Sequence, residues 1–490
     1  MKLKQLVKGI PSLEIKGSKD VEILGLCNNS QFAAPGYLFF AKKGSKLSGN
    51  QFIRDAALAG SVAIATDLFD PFLKQVVQIV HPDVTALESL LTERFYDYPS
   101  HQLLSIGITG TNGKTTCSYL IKHFLDRVGI ATGLIGTIEW IIKDKILPSN
   151  LTTPDAITSQ KLLHEMKITG CQGVVMEVSS HALVQKRVAC IDFDIAIFTN
   201  LTQDHLDYHE TMEEYAKAKA ILFSSLGSHG NVGKSYPKLA IVNCDSPWAS
   251  TMIRDLKAPL LTYGLCQESD VRAEEIKLSP KGSSCWICYR DLRLPFTTAL
   301  IGKFNIYNYL AVIATAIGLN FDLPSILSIL SSFPAVPGRL ERVENQQGKN
   351  IFVDYAHTED ALKNVLEALR EIAVGRVLCV FGCGGNRDKQ KRPKMGAVAE
   401  KLSDALWITS DNPRGESPES IIQDILAGIQ DVKKVCIEVD RRKAIEKAIS
   451  QMKSDDVLLI AGKGHENYQV FSHHTIHFDD RIIAKEYCRC

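Results

Sequence analysis

Apolar residues recur along this chain in two registers. Short, nearly unbroken runs at 103–106, 173–178, 193–199 and 239–243 predict strands buried on both faces, as in a parallel sheet. Between them the spacing turns helical, as from Tyr119-Leu120-Ile121 to Phe124-Leu125. Ahead of residue 100, β-like runs at 21–24, 37–41 and 62–66, a helical stretch at 52–59 and the turn Ala34-Pro35-Gly36 predict a small α/β unit. From 261 to 300 polar and apolar residues alternate, which predicts a small antiparallel sheet. The helical pattern of 326–330 stops at Phe333-Pro334-Ala335-Val336-Pro337-Gly338-Arg339, which reads as a hinge. Beyond it, strands at 351–354, 376–381, 405–409 and 457–461 alternate with helices at about 360–373 and 421–429. The expected fold class is α/β with three domains: 1–100, a central parallel-sheet domain at 101–334, and a C-terminal Rossmann-like domain at 335–490.

Composition changes this picture little. A chain of 490 residues exceeds one core, and 45% hydrophobic with 23% charged residues describes an ordinary globular protein. With 56 basic against 55 acidic residues, there is no global footprint for nucleic acid or a membrane surface. The longest apolar runs are far too short to span a bilayer, and Met1-Lys2-Leu3-Lys4 lacks the apolar core of a signal peptide, so a cytoplasmic location is expected. The 13 scattered cysteines read as reduced thiols. Cys285 and Cys288 form a C-x-x-C, but on a strand-like alternation with no second pair to complete a zinc site. His473, His474 and His477 likewise read as part of a polar-faced strand.

Chemistry enters at Gly107-Ile108-Thr109-Gly110-Thr111-Asn112-Gly113-Lys114-Thr115-Thr116. A strand, a glycine turn and a helix start are the parts with which backbone N–H groups cradle phosphates. Lys114 would reach the terminal phosphates and Thr115 would offer its hydroxyl to magnesium. The usual G-x-x-x-x-G-K-[ST] spacing is not met, because Ile108 stands where its first glycine belongs. A plain strand-to-helix turn with an incidental lysine is the alternative. Glu177 closes another apolar strand, where a buried carboxylate needs a partner such as a metal. His205 lies in a polar cluster after the next strand, which is either functional or a solvated loop. Lys219 sits on an evident helix, and nothing in its chemistry singles it out.

Several motifs occur together and in order. They are Gly110 to Thr116, Glu177-Val178-Ser179-Ser180-His181, Asn200 to His209, Tyr215-x-x-x-Lys219, Gly302-Lys303-Phe304-Asn305-x-x-Asn308, Pro337-Gly338-Arg339, Asp354-Tyr355-Ala356-His357 and Gly382-x-Gly-Gly-Asn386-Arg387-Asp388. In this combination the chain resembles the Mur ligases over essentially its whole length. The resemblance implies an ATP- and magnesium-dependent amide-bond-forming ligase of peptidoglycan precursor synthesis, acting through an acyl phosphate. A folylpolyglutamate synthase would share only the ATP core, and a nucleotide-dependent switch only the first motif.

The resemblance also implies roles. Gly110, Thr111, Asn112, Gly113, Lys114, Thr115 and Thr116 would hold ATP with Asn305 and His357 at adenine and ribose. Arg339 would reach the phosphates from beyond the hinge, which requires domain closure. Lys114, Glu177, His205 and Lys219 would be catalytic. Thr115, Glu177, His205 and Lys219 would serve the metals, with Lys219 carrying a carbon-dioxide-derived carbamate (N6-carboxylysine). A carbamate forms from the neutral amine, so a lysine with a pKa near about 10.4 must be depressed or trapped. Asn28, Ser30, Ser45, Lys46, Leu47, Leu151, Thr152, Thr153, Ser179, Gln185 and Arg187 would contact UDP-N-acetylmuramoyl-L-alanyl-D-glutamate. Two departures fall here: Asn29-Ser30-Gln31 replaces a common Asp-Ser-Arg, and Leu151 replaces a common Asn. Arg387, Asp411, Asn412, Pro413, Arg414, Gly462 and Glu466 would hold the incoming amino acid, expected to be meso-2,6-diaminopimelate. Its distal carboxylate suits Arg414, which would repel the ammonium of the alternative, L-lysine. The expected enzyme is a monomer.

Overall fold

The computed structural model describes residues 1–44, 47–227 and 234–488. It is an α/β protein that divides into two compact units, residues 1–262 with 318–320, and residues 263–317 with 321–490. Among the described residues no helix is long and apolar enough to cross a membrane.

In the first unit, a five-stranded sheet runs in the order Glu14–Lys16, Val77–Val80, Ala63–Thr66, Tyr37–Phe40, Gly25–Cys27. Only Glu14–Lys16 is antiparallel to its neighbour. The strand expected at 21–24 lies instead at Gly25–Cys27. Residues 21–24 pair with the N-terminus and a turn: Ile23 N donates to the Met1 carbonyl at 2.8 Å and Leu24 N to that of Gly36 at 2.8 Å. Gly25 can enter the sheet because a Cβ there would lie 2.5 Å from Cζ of Tyr37, space that only glycine leaves free.

The same unit carries the central sheet, in the order Leu239–Asn243, Ile195–Phe198, Leu104–Thr109, Gly173–Glu177, Thr132–Ile135, Glu139–Ile142, Lys145–Pro148. The first five strands are parallel and every one of their residues is buried, so the apolar runs read from the sequence are explained by helices on both faces. Leu104–Thr109 is followed by the helix Lys114–Arg127 and a crossover to Thr132–Ile135, while Ile195–Phe198 lies on its other side. That reversal opens a crevice at the carboxyl ends, where ligands bind in doubly wound sheets.

In the second unit a six-stranded sheet runs Glu341–Arg342, Asn350–Asp354, Val457–Ala461, Val377–Phe381, Ala405–Ile408, Val435–Ile437, parallel except at its first pair. The helix Glu359–Ile372 buries Leu362, Val365, Leu366, Leu369 and Ile372 on one stripe, and the Thr358 side chain caps it at Ala361 N. Val271–Ser279, Gly282–Tyr289 and Leu292–Thr298 form the expected antiparallel sheet. Cys285 and Cys288 are buried free thiols on its middle strand, and burial pushes Cys285 up to about 12. Of the three late histidines only His477 is in a strand; the rings of His474 and Phe471 stack at 4.9 Å.

The fully buried Arg441 and Asp480 lock the carboxyl edge of the six-stranded sheet. Arg441 Nη2 and Nε donate to Asp480 at 2.7 and 2.8 Å, and Nη2 also donates to the Ala461 carbonyl at 2.9 Å. Arg441→Met strands a buried carboxylate and is expected to cost about 3–5 kcal/mol, read as a lower urea midpoint. Adding Asp480→Asn should recover most of that loss. A change below about 1 kcal/mol for the single variant, the size of an exposed pair, would refute this role.

Candidate functional site

The turn after Leu104–Thr109 is held by residues from the next strand's exit. Thr111 N donates to the Asn200 carbonyl at 2.9 Å, and Asn112 N to Asn200 Oδ1 at 2.9 Å. Asn200 Nδ2 and Thr199 Oγ1 both donate to the Asn112 carbonyl, at 3.1 and 2.6 Å. Gly110 has φ +152°, and a Cβ on it would lie 1.9 Å from Thr199 Oγ1, so this position admits no side chain. Gly113, at φ +87°, leads into the helix Lys114–Arg127, whose first turn holds Thr115 and Thr116. The backbone N–H groups at such a helix start favour anionic ligands. The unusual glycine spacing is thus a turn cross-braced by Thr199 and Asn200.

Around this turn the metal-site candidates converge. Glu177, fully buried at the end of its strand, accepts from Thr115 Oγ1 at 3.1 Å, Thr137 Oγ1 at 2.9 Å and Thr137 N at 3.0 Å. Three protein donors thus supply partners for a carboxylate that could not be buried here unpaired. Lys219, 1% exposed, is no surface lysine. Its Nζ donates to the Gly110 carbonyl at 3.0 Å and lies 4.4 Å from the centre of the Tyr215 ring. Lys114 Nζ donates to the same Gly110 oxygen at 2.8 Å and to the Thr111 carbonyl at 2.9 Å. Burial, and then the charge of Lys114, hold the Lys219 amine well below the usual lysine range. His205 is exposed at φ +54°, and desolvation of its ring lowers its pKa below the usual histidine range. Its ring packs on those of His181 and Tyr215, which in turn pack on Tyr208 and His209. Carboxylate and hydroxyl oxygens beside a phosphate-type turn are the hard donors that suit magnesium.

A second set of predicted residues joins the same unit. Thr153 Oγ1 donates to the Glu177 carbonyl at 2.8 Å and accepts from Ser179 N at 3.0 Å. Thr152 Oγ1 lies 3.0 Å from Thr137 Oγ1. Arg187 Nη1 donates to the Thr153 carbonyl at 2.8 Å, and its Nη2 to Gln185 Oε1 at 2.6 Å. Asn28 reaches this region through Asp155 at 3.4 Å, and its amide also donates to buried Glu88 at 2.8 Å. Ser30 opens a single 3-10 turn capped by Asn29, which accepts from Gln31 N at 3.0 Å. Leu47 and Leu151 are exposed. Ser30 and Leu47 have no hydrogen bond to the Thr153 network among the described residues, and Ser45 and Lys46 lie outside them.

In the second unit, Asn305 is buried in the helix Lys303–Gly318, with Nδ2 donating to the Ile301 carbonyl at 2.8 Å and Oδ1 accepting from Asn308 at 3.0 Å. Arg339 lies over the Tyr355 ring at 5.2 Å, and His357, exposed, packs its ring on Tyr355 at 4.6 Å. Buried Asp354 accepts from Leu340 N at 2.6 Å and Ala356 N at 2.7 Å, which fixes the chain on both sides of that stack.

The amino-acid candidates come together at the carboxyl edge of the six-stranded sheet. Asn412 Nδ2 donates to Glu466 Oε2 at 2.8 Å, and the Asn412 carbonyl accepts from Gly385 N at 2.9 Å. Arg414, at φ +52°, donates from Nη1 to the Gly385 carbonyl at 2.9 Å. A Cβ on Gly385 would lie 1.9 Å from the Pro413 carbonyl oxygen, and one on Gly462 would lie 2.8 Å from Asp411 Oδ2. Two glycine-rich segments, around Gly385 and Gly462, therefore pack against one turn, and Arg387 stands exposed beside it.

Sequence reasoning missed Thr137, Asp155 and Glu88, which hold predicted residues, and Arg441 with Asp480 behind the amino-acid edge. For Thr137 a signal existed, since Gly136-Thr137 follows a buried parallel strand as Glu177-Val178 does.

Comparison with known proteins agrees in extent. Residues 108–316 match the Mur ligase middle domain and residues 338–464 the Mur ligase glutamate ligase domain. Two curated relatives are each named "UDP-N-acetylmuramoyl-L-alanyl-D-glutamate--2,6-diaminopimelate ligase". The one from Geobacillus thermodenitrificans is 41% identical over 486 residues, covering 99% of this chain and 99% of the relative. The one from Caldanaerobacter subterraneus is 43% identical over 488 residues, covering 99% and 98%. A solved structure of a ligase of the same name is 31% identical, with a TM-score of 0.72, over 100% of this chain and 98% of the other. With its braced glycine turn, its buried lysine on the Gly110 carbonyl and these full-length likenesses, the chain belongs to the Mur ligase family.

Proposed function

We propose that this chain is the ATP-dependent ligase that adds meso-2,6-diaminopimelate to the D-glutamate of UDP-N-acetylmuramoyl-L-alanyl-D-glutamate, in the cytoplasm and as a monomer. The observation that carries the choice of amino acid is the packing of Asn412, Arg414 and Glu466 around one turn. A guanidinium, an amide and a carboxylate side by side complement a carboxylate and an ammonium on one carbon, the distal centre that diaminopimelate has and lysine lacks. The relatives' names support the same reading.

On this reading residues 1–100 take the uridine end of the acceptor, 101–334 the ATP and 335–490 the amino acid. The glutamate carboxylate attacks the γ-phosphate of ATP, ADP leaves, and an acyl phosphate forms. The amine then attacks the acyl carbon, and phosphate leaves with the bond that held it. Lys114 and the N–H groups of the glycine turn stabilise charge on the phosphates, while Arg187 and Thr153 orient the acceptor. Asn305, Arg339 and His357 bind the nucleotide. Thr115, Glu177, His205 and Lys219 would hold magnesium, which when bound neutralises the phosphates and the attacking carboxylate. The buried Lys219 amine, held well below the usual lysine range, suits carbamylation, which replaces a cation with an anionic oxygen donor.

Phosphate release is expected only with ATP, magnesium, the UDP-muramoyl dipeptide and diaminopimelate all present. Radiolabelled diaminopimelate should be incorporated in preference to lysine, and preference for lysine would sink the specificity. Arg414→Ala is expected to raise the KM for diaminopimelate roughly 10- to 100-fold, the worth of a charge-assisted hydrogen bond, and leave that for ATP within about twofold. Equal effects on both would refute the distal-carboxylate role. Lys219→Ala should lose activity by at least about a hundredfold and regain part of it with short-chain carboxylic acids. Lys219→Arg should not substitute, because a guanidinium forms no carbamate, and wild-type-like turnover by that variant would exclude the modification.

A further inference from the structure

Next to the Asn412–Arg414 turn lies a lysine to which the reading above gives no task. Lys463 is fully buried, between Gly462 and Gly464, and its Nζ donates to Asn412 Oδ1 at 3.3 Å and to Glu466 Oε2 at 3.2 Å. The ammonium also sits 5.5 Å from the centre of the Tyr468 ring. Burying an ammonium is costly unless it is paired, so a chain that places one here must compensate it on the spot. The two groups that do so, Asn412 and Glu466, are both members of the amino-acid site.

The hydrogen bonds leave one arrangement. Asn412 Oδ1 faces two groups that can only donate, Lys463 Nζ and Val470 N at 3.0 Å, so the oxygen and not the amide nitrogen must stand on that side. Nδ2 is thereby turned toward Glu466 Oε2, which only accepts. Glu466 Oε2 is thus engaged twice, by Asn412 and by Lys463, while Oε1 has no hydrogen-bond partner among the described residues. The pairing occupies one carboxylate oxygen and leaves the other as an acceptor. Arg414 is tied in from the far side, its N donating to the Val470 carbonyl at 3.0 Å, on the same short strand that fixes Asn412.

We infer that Lys463 is the positioning residue of the amino-acid site: it sets the orientation of the Asn412 amide and holds the Glu466 carboxylate so that Oε1 accepts from an ammonium group of the incoming diamino acid. This rests on the proposed addition of diaminopimelate, and the two can fail separately. Lys463 need not touch the amino acid; it acts through the two residues it holds.

The test is steady-state kinetics of the full-length enzyme with Lys463→Met and Lys463→Gln, varying diaminopimelate and ATP in turn. Lys463→Met removes both donors and the charge, and the KM for diaminopimelate is expected to rise about 10- to 100-fold, as for loss of a hydrogen bond to a charged group. The KM for ATP should stay within about twofold. Lys463→Gln keeps one donor without the charge and should fall between wild type and Lys463→Met, a graded rescue that a merely structural role would not produce. If Lys463→Met does not fold, Lys463→Gln alone decides, with a rise of at least about fivefold in the KM for diaminopimelate expected from the lost charge. An unchanged KM for diaminopimelate, or equal rises for both substrates, overturns the inference. A wild-type enzyme that does not use diaminopimelate overturns the proposed function instead, whatever the variants do.

Discussion

Two amines share one carbonyl oxygen. Lys114 and Lys219 both donate to Gly110, at 2.8 and 3.0 Å, in a place where Lys219 has almost no access to water. Two ammonium groups converging on one buried acceptor repel each other strongly, and the cheaper solution is for the more buried one to give up its proton. Lys219 is that one. Much of the first unit follows from keeping this geometry. Gly110 must lack a side chain so that Thr199 can close over the turn. Asn200 must brace Asn112 from both sides. Glu177 must be satisfied by Thr115 and Thr137 so that it can sit fully buried nearby.

The amino-acid site is built on the same economy. Arg392 is fully buried under the glycine loop, donating to Glu416 at 2.9 Å, to Asp424 at 2.8 Å and to the Gly384 carbonyl at 3.2 Å. Arg441 does the equivalent beneath the ends of Ala405–Ile408 and Val457–Ala461. In both places a paired guanidinium ties backbone carbonyls that precede or carry the binding residues. The groups offered to a ligand are then those not consumed by this scaffolding.

What was legible in the sequence was what depends on near neighbours. The glycine turn and its helix, the buried parallel strands and the stripe on Glu359–Ile372 follow from spacing over a few residues. The strand at Gly25–Cys27 was misplaced by four residues because glycine reads locally as a breaker, whereas here the Tyr37 ring across the sheet requires it. The importance of Lys219 was invisible to spacing, since its burial is created by a turn 109 positions away. Family resemblance supplied it. Asp480 escaped for the same reason: it is defined by a partner, Arg441, lying 39 residues distant.

The Arg441–Asp480 pair also bears on how the second unit opens. It joins the Ser410 and Ala461 carbonyls, the start of the helix Arg441–Ser450 and the start of the helix Asp480–Glu486 at a single buried point. No one of those segments can leave without uncovering a charge that the others also need. Fraying of this edge is thereby tied to the opening of the whole sheet, and its amides are expected to exchange with solvent as one cooperative block. A site for a small, highly charged amino acid is thus kept rigid by linkage across four segments, without needing a large apolar surface of its own.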